Sequence, residues 1–248
     1  MGHMPKIGGL QNAAYFINKL SQQPDYTDTA FQPKIKLHGT NAGIRISSAD
    51  EVTAQSKSRD IAIGDDNFGF AAFVDTLPDD ELARACFEAF GDIDGWDNVT
   101  RLGEWVGPGI QKGVAISQIP DKMFFVFGIK WEWSALGKEF KEFHYDSWQF
   151  WDMEAYFENI SERIIFLSPA RAASHVDFRI DDEKKRFVDE CNDFVAEIEA
   201  KCPVSADFGY DGIGEGAVNY PYYSGGYCQW EEFKELTFKV KGEKRATN

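Results

Sequence analysis

The chain has 248 residues, and its 26 basic and 41 acidic residues give a formal net charge of −15. Apolar residues make up 43% of it and aromatic residues 15%, which is enough to build a sizeable core in one large domain or two small ones. The negative charge is opposite in sign to that of a general nucleic-acid-binding protein. Any contact with a polyanion must therefore be local, around a few cations.

The ends of the chain and its cysteines bound the cellular setting. No stretch approaches eighteen consecutive apolar residues, and the amino terminus lacks a secretion signal, so neither a membrane span nor export is indicated. Residues 1–4 look like a vector-derived leader, which leaves residues 5–248 as the domain. The cysteines show no CxxC pair and no zinc-finger spacing, so we expect buried thiols in a reducing cytoplasm.

Four segments have helical periodicity. The first spans residues 8–20, and the second begins at Pro78 with acidic residues in its first turn. Residues 146–160 are aromatic-rich and helix-like, and residues 181–202 place their apolar residues on one helical stripe. We expect a structural role for the first two helices and expect the last two to cover a β-sheet.

A strand-like alternation in residues 34–46 contains Lys36, followed by a histidine, a glycine and an asparagine. A lysine near the mouth of a core can be partly desolvated, and desolvation with neighbouring cations makes an amine more nucleophilic near neutral pH. We therefore interpret Lys36 as a nucleophile, although this short stretch alone would also suit a strand end followed by a turn. Residues 51–59 are expected to form the hairpin partner of this strand and end in cations.

Three later stretches carry further polar chemistry. Residues 102–113 predict a strand that bears Glu104 and runs into a glycine-proline loop, and an ionised carboxylate on a fixed strand accepts hydrogen bonds from hydroxyl groups. Residues 122–131 predict a strand that is buried on both faces. In a strand, Lys239 and Lys241 share one face, so two cations can converge on one phosphate group. A solvated edge strand would be the alternative for the two lysines.

Together these stretches resemble the ATP-dependent RNA ligases, in particular the RNA ligase 2 branch with its phage enzymes and RNA-editing ligases. The sequence at residues 36–41, Lys-Leu-His-Gly-Thr-Asn, resembles the first family motif. The sequence at residues 103–112, Gly-Glu-Trp-Val-Gly-Pro-Gly-Ile-Gln-Lys, resembles the third. Phe127 lies at the place of the family's aromatic motif. Glu-Gly-Ala-Val at residues 215–218 resembles the fourth motif, and Lys-Val-Lys-Gly-Glu-Lys at residues 239–244 the fifth.

The resemblance implies an α+β fold with two packed antiparallel β-sheets flanked by helices, and a nucleotide held between them. It implies that Lys36 attacks the α-phosphate of ATP and carries AMP, that Phe127 stacks on adenine, and that Glu104 binds the ribose. Glu215 would position Mg²⁺ or Mn²⁺ beside the α-phosphate. The implied catalytic residues are Lys36, Lys239 and Lys241, and the implied nucleotide-binding residues are Ile35, Lys36, His38, Asn41, Arg59, Glu104, Phe127, Glu215, Lys239 and Lys241.

The resemblance implies that the partners are RNA ends or a nicked duplex and that no membrane is involved. It also implies a monomer in the cytoplasm, or in the host cytoplasm if the gene is phage-encoded. Many family members continue into a carboxy-terminal domain after the fifth motif, so this chain is expected to lack one.

The chain departs from the family pattern at three positions. Gly128 stands where the family usually has an aspartate, Tyr220 stands near where it commonly has a cation, and Ile35 precedes the lysine where relatives often have glutamate. These departures and the charge keep open a nucleotide-binding or RNA-end-binding module without turnover. A DNA ligase or a GTP-using capping enzyme of the same superfamily is the other alternative.

Overall fold

The computed structural model of the protein describes residues 4–22, 28–90 and 96–243. Its helices are α1 Leu10–Leu20, α2 Phe70–Val74, α3 Asp79–Phe90, α4 Trp148–Phe157, α5 Asp181–Ala200, α6 Pro203–Asp207 and α7 Trp230–Leu236. Its strands are β1 Gly8–Gly9, β2 Thr29–Lys36, β3 Thr40–Ser47, β4 Val52–Ser56, β5 Trp96–Val106, β6 Met123–Ala135, β7 Lys138–His144, β8 Ile164–Phe166, β9 Ser174–Val176, β10 Gly216–Pro221, β11 Tyr227–Gln229 and β12 Phe238–Lys241. Residues 1–3 of the expected leader and Lys244 of the fifth motif lie outside the described residues.

The strands form two sheets. Sheet A has the order β1-β12-β10-β2-β9, and sheet B has the order β11-β7-β6-β5-β3-β4, with β8 beside β6. The strand pairs are antiparallel except for β1 with β12 and β6 with β8, which are parallel. The prediction of an α+β fold with two antiparallel sheets and flanking helices is confirmed, with these two parallel pairs as an addition.

The four predicted helices are present as α1, α3, α4 and α5. Phe150 of α4 belongs to an apolar cluster with side chains of sheet B, and Phe187 of α5 belongs to one with side chains of sheet A. Two further clusters contain side chains of both sheets, such as Ile35 with Phe125 and Tyr220 with Phe143. The helices therefore cover the sheets, and the sheets pack on each other. No helix in the described part of the chain is long and apolar enough to cross a membrane.

The strand that carries Lys36 differs from its expected pairing. β2 ends at Lys36 in sheet A, whereas β3 begins at Thr40 in sheet B, and β4 pairs with β3. The expected hairpin is therefore present for residues 42–46, which pair with residues 52–56, but Lys36 lies on a separate strand because the chain changes sheets between Lys36 and Thr40. Gly39 permits this crossing, since a Cβ at this position would lie 2.3 Å from the carbonyl oxygen of Trp105. The crossing leaves Lys36 where the two sheets meet.

Candidate active site

A cavity of about 240 Å³ lies between the two sheets and is lined by residues of both. Its cationic lining residues are Lys6, Lys36, Lys57, Lys239 and Lys241. Glu104 is the one acidic residue among the described residues that line the cavity. The apolar lining includes Ile35, Phe127, Tyr220 and Phe233. An acidic protein thus holds a locally positive cavity with an aromatic wall, which suits a ligand that has both a flat apolar part and an anionic part.

Lys36 is the last residue of β2, and its amine lies at the edge of this cavity. The Nζ atom donates to Oε2 of Glu215 at 2.6 Å and is 3.4 Å from the carbonyl oxygen of Leu37. The pairing of Lys36 with Gly216 in the adjacent strand β10 places Glu215 beside the amine. The end of the strand therefore holds Lys36 in a defined position, although its side chain is 20% exposed.

Glu215 joins Lys36, Lys241 and His38 beside the cavity, although Glu215 and His38 themselves do not line it. Its Oε2 atom also lies 3.2 Å from Nδ1 of His38, and its Oε1 atom accepts from Nζ of Lys241 at 2.7 Å. Burial alone would raise the pKa of this carboxyl group, but the contact with His38 and the charges of Lys36 and Lys241 lower the pKa to about 2. Glu215 is therefore ionised at neutral pH and orders the side chains of the first and fifth motif stretches around itself.

Lys239 and Lys241 both line the cavity, as their spacing of two predicted. β12 lies next to β10, with Lys241 opposite Gly216. A Cβ at residue 216 would lie 2.2 Å from the carbonyl oxygen of Val240, so only glycine allows this approach of the two strands. Burial and the nearby charges of Lys241 and Lys36 lower the pKa of Lys239. The two lysines thus form a concentrated positive site that favours a bound anion.

Glu104 is held on β5 by two donors from the first motif stretch. The backbone N–H of Gly39 donates to Oε1 at 3.0 Å, and Nδ2 of Asn41 donates to Oε2 at 2.7 Å. Burial raises the pKa of Glu104 to about 7, against the opposing effects of Lys36 and the Gly39 hydrogen bond. Each carboxylate oxygen retains acceptor capacity after these bonds. Glu104 can therefore bind hydroxyl groups of a ligand in the cavity.

Phe127 lines the cavity, whereas Phe125 is 1% exposed and belongs to the core. Sequence spacing preferred Phe127 of the two, and the structure places it where a ligand could contact its ring. The neighbouring Gly128 is explained by packing, because a Cβ there would lie 2.1 Å from the ring of Phe143. An aspartate at residue 128, as in the resembling family, would require Phe143 to move.

Tyr220 occupies the region where the fourth family motif commonly has a cation. Its ring is 3% exposed and stacks on Tyr145 at 5.5 Å and on Phe143 at 5.7 Å between ring centroids. Burial raises the pKa of its hydroxyl group, as does the nearby charge of Glu104. Tyr220 therefore contributes an aromatic surface, and the cations of this cavity come from other segments of the chain.

Arg59 is the one predicted site residue that the structure places apart from the others. Its guanidinium group pairs with Asp65, its side chain is 52% exposed, and it does not line the cavity. Lys57, two residues earlier, lines the cavity. Its charge lowers the pKa of Lys239, although burial and the charges of Lys241 and Lys36 have larger effects. Both cations follow β4, and the sequence offered no signal to separate them. Lys6 also lines the cavity and was missed, since nothing in the sequence links it to the motifs.

The donor set allows a metal ion only with help from a ligand. No three His, Cys, Asp or Glu side chains in residues 4–22, 28–90 and 96–243 are grouped to hold an ion. Mg²⁺ commonly uses one or two protein carboxylates and takes its other ligands from water and phosphate oxygens. Glu215 fits such a site. Burial is the main cause of the raised pKa of Glu104, and the charge of Glu215 raises that pKa further. That Glu215 helps to hold Mg²⁺ or Mn²⁺ stays a prediction.

Comparisons with known proteins identify the fold. No family model and no curated protein sequence matches the chain. An archaeal ATP-dependent RNA ligase is 13% identical with a TM-score of 0.51, over 98% of this chain and 48% of that one. A mutant RNA ligase of Naegleria gruberi, solved with AMP and Mn, is 10% identical with a TM-score of 0.54, over 96% of this chain and 55% of that one. Another such mutant, solved with ATP and Mn, is 12% identical with a TM-score of 0.52, over 96% and 56%. The chain has the fold of these ligases and spans about half of their length.

Proposed function

We propose that this chain is the nucleotidyltransferase domain of an ATP-dependent RNA ligase. One observation carries the proposal: motif stretches that are far apart in the sequence meet at one cavity between the sheets. Lys36 and Lys241 are separated by about two hundred residues, and both bond to the same carboxylate of Glu215. The likeness to solved RNA ligases supports the fold on which this arrangement depends.

ATP would lie along the cavity with its base against the aromatic wall. Phe127 would stack on the adenine ring, and base–aromatic stacking is worth about 1–3 kcal/mol. Glu104, already fixed by Gly39 and Asn41, would accept hydrogen bonds from the ribose hydroxyl groups. Ile35, which lines the same cavity, would pack against the nucleotide with an apolar side chain. This orientation directs the phosphates towards the cluster of lysines.

The first chemical step forms a bond between Nζ of Lys36 and the α-phosphorus while the bond to pyrophosphate breaks. Lys239 and Lys241 would stabilise the charge that builds on the phosphate oxygens, an effect of a few kcal/mol per well-placed group. Glu215 is a weak base because its pKa is about 2. It therefore holds the attacking amine in place, and the amine proton is released to solvent water, because the Lys36 side chain is 20% exposed. A divalent cation bound with Glu215 would withdraw further charge from the phosphate.

Two later steps would join RNA. The 5′-phosphate of an RNA attacks the lysyl-AMP, which frees Lys36 and forms a 5′–5′ pyrophosphate linkage. A 3′-hydroxyl group then attacks that 5′-phosphate, forms a phosphodiester and expels AMP. His38 and Asn41 lie beside Glu215 and Glu104 respectively, where they could orient the RNA end. Because the net charge is −15, RNA binding would depend on local cations and would weaken steeply with salt.

The test uses 5′-labelled RNA, as a nicked duplex and as single strands, with ATP and Mg²⁺ or Mn²⁺. We expect adenylylated RNA and joined RNA from the wild-type chain, and neither product from Lys36→Ala. Lys201→Ala is the matched control, since this exposed lysine pairs with Asp211 outside the cavity. Transfer of AMP to RNA by Lys36→Ala, or its absence with every RNA for a folded wild-type chain, would contradict the proposal.

A further inference from the structure

Lys34 is a buried lysine that the proposed chemistry does not use. It lies two residues before Lys36 on β2 and is 1% exposed. Burial lowers the pKa of Lys34 to about 7, although the charges of Asp146 and Glu154 oppose this effect. A lysine in a core is rare, and its polar atoms must be satisfied there by hydrogen bonds. Its partners therefore indicate what it does.

Lys34 lies on β2 in sheet A, and its amine joins this strand to two segments in or next to sheet B. Its Nζ atom donates to the carbonyl oxygen of Phe127 at 3.1 Å and to that of Tyr145 at 2.5 Å. It also lies 4.1 Å from the centroid of the Phe150 ring, a favourable place for a cation. The nucleophile strand is thus tied directly to the backbone of the residue that lines the cavity with its ring.

Phe127 is the extra residue of a β-bulge. Along β5 and β6, Leu102 pairs with Gly128 and Gly103 pairs with Val126, so Phe127 has no partner in the ladder. A bulge leaves its extra residue unpaired and turns the side chain in a new direction, often beside a functional site. Lys34 donates to the carbonyl oxygen of this unpaired residue. Replacing Lys34 would remove the donor to this partly buried carbonyl group and leave the bulge without that support.

The second acceptor extends the same support to the rest of the aromatic wall. The ring of Tyr145 stacks on Tyr220 at 5.5 Å with an interplanar angle of 12°, and Tyr220 lines the cavity. Lys34 therefore fixes two parts of that wall relative to the strand that ends in Lys36.

We propose that Lys34 is a positioning residue that holds Phe127 and the aromatic wall in the orientation that binds the nucleotide base. It acts through Phe127 and does not itself line the cavity. The inference rests on the proposed function, because the base is taken to be the ligand of this wall. It predicts a loss of nucleotide affinity and of base stacking, with little change in the phosphate chemistry at Lys36.

The experiment measures binding of 2-aminopurine riboside triphosphate without divalent metal, where stacking quenches the fluorescence of the base. We expect Lys34→Met to raise the dissociation constant about tenfold and to reduce quenching, since part of the stacking free energy is lost. In a Phe127→Leu background, the same substitution should change the constant only about threefold, because one of the two parts of the wall that Lys34 holds is already absent. The matched control is Lys130→Met, a lysine of β6 that pairs with Glu132, and it should bind like the wild type.

Thermal unfolding of each variant accompanies these titrations, and Lys34→Gln replaces Lys34→Met if the latter does not fold. An unchanged dissociation constant for the Lys34 variant would overturn the inference and leave the proposed function intact. An equal effect in the Phe127→Leu background would also overturn it, because Lys34 would then act on the fold in general. If the wild-type chain itself bound no nucleotide, the proposed function would fail together with the inference.

Discussion

Replacing Glu215 by glutamine should lower stability strongly at neutral pH. Glu215 is 2% exposed, and its oxygens contact Lys36, His38 and Lys241. Burial opposes ionisation, yet these contacts lower its pKa from 4.5 to about 2. At roughly 1.4 kcal/mol per pKa unit, the ionised carboxylate stabilises the folded protein by about 3 kcal/mol. Glu215→Gln removes this charge and leaves Lys36, Lys241 and the His38 ring close together without their shared anion.

The assay is urea unfolding of the wild type and of Glu215→Gln at pH 7 and pH 3.5. A carboxyl group with a lowered folded-state pKa stabilises the fold above its unfolded-state pKa of 4.5, and that stability is lost as the pH falls towards 2. The difference between the two proteins should therefore shrink from about 3 kcal/mol at pH 7 to about 2 kcal/mol at pH 3.5. Glu231→Gln, on an exposed side chain, should match the wild type. A difference below about 1 kcal/mol at pH 7, or one that grows as the pH falls, would refute the reasoning.

Gly128→Ala should lower the free energy of unfolding by about 2 kcal/mol, because the new Cβ meets the buried ring of Phe143; unchanged urea unfolding would contradict this packing argument. Lys57→Ala should weaken ATP binding about fivefold and Arg59→Ala less than about twofold, since only Lys57 lines the cavity; equal effects in a calorimetric titration would count against this distinction. Raising the pH from 7 to 9 should stabilise the wild type relative to Lys34→Met by about 2 kcal/mol. In this range the amine of folded Lys34, with a pKa of about 7, loses its proton, whereas the amine in the unfolded chain keeps it. A difference in unfolding free energy that stays constant between these pH values would contradict the buried position of that amine.

Local sequence patterns predicted α1, α3, α4 and α5 and the shared face of Lys239 and Lys241, but not the shorter helices α2, α6 and α7. An amphipathic stripe and a spacing of two depend only on the local period of the backbone. The motif stretches also predicted which distant residues would meet, because Lys36, Glu104 and Lys241 all reach one cavity. The sequence is therefore informative where a short stretch carries its own geometry.

The features that the sequence did not predict depend on contacts between distant strands. The crossing between sheets at Gly39 depends on the carbonyl oxygen of Trp105, and the glycine at residue 128 depends on the ring of Phe143. The role of Lys34 depends on a bulge whose position is set by pairing between β5 and β6. None of these partners is near in sequence, so periodicity could not indicate them.

The mass of the intact protein after incubation with ATP and Mg²⁺ tests the central claim most directly. The wild type should gain about 329 Da, the mass of one adenylyl group on a lysine, and Lys36→Ala should gain nothing. A parallel reaction with GTP should leave the mass of the wild type unchanged. Three results would contradict the account. One is no adduct on folded wild-type protein that carries no prior AMP. The others are an adduct retained by Lys36→Ala and a guanylyl adduct in place of the adenylyl one.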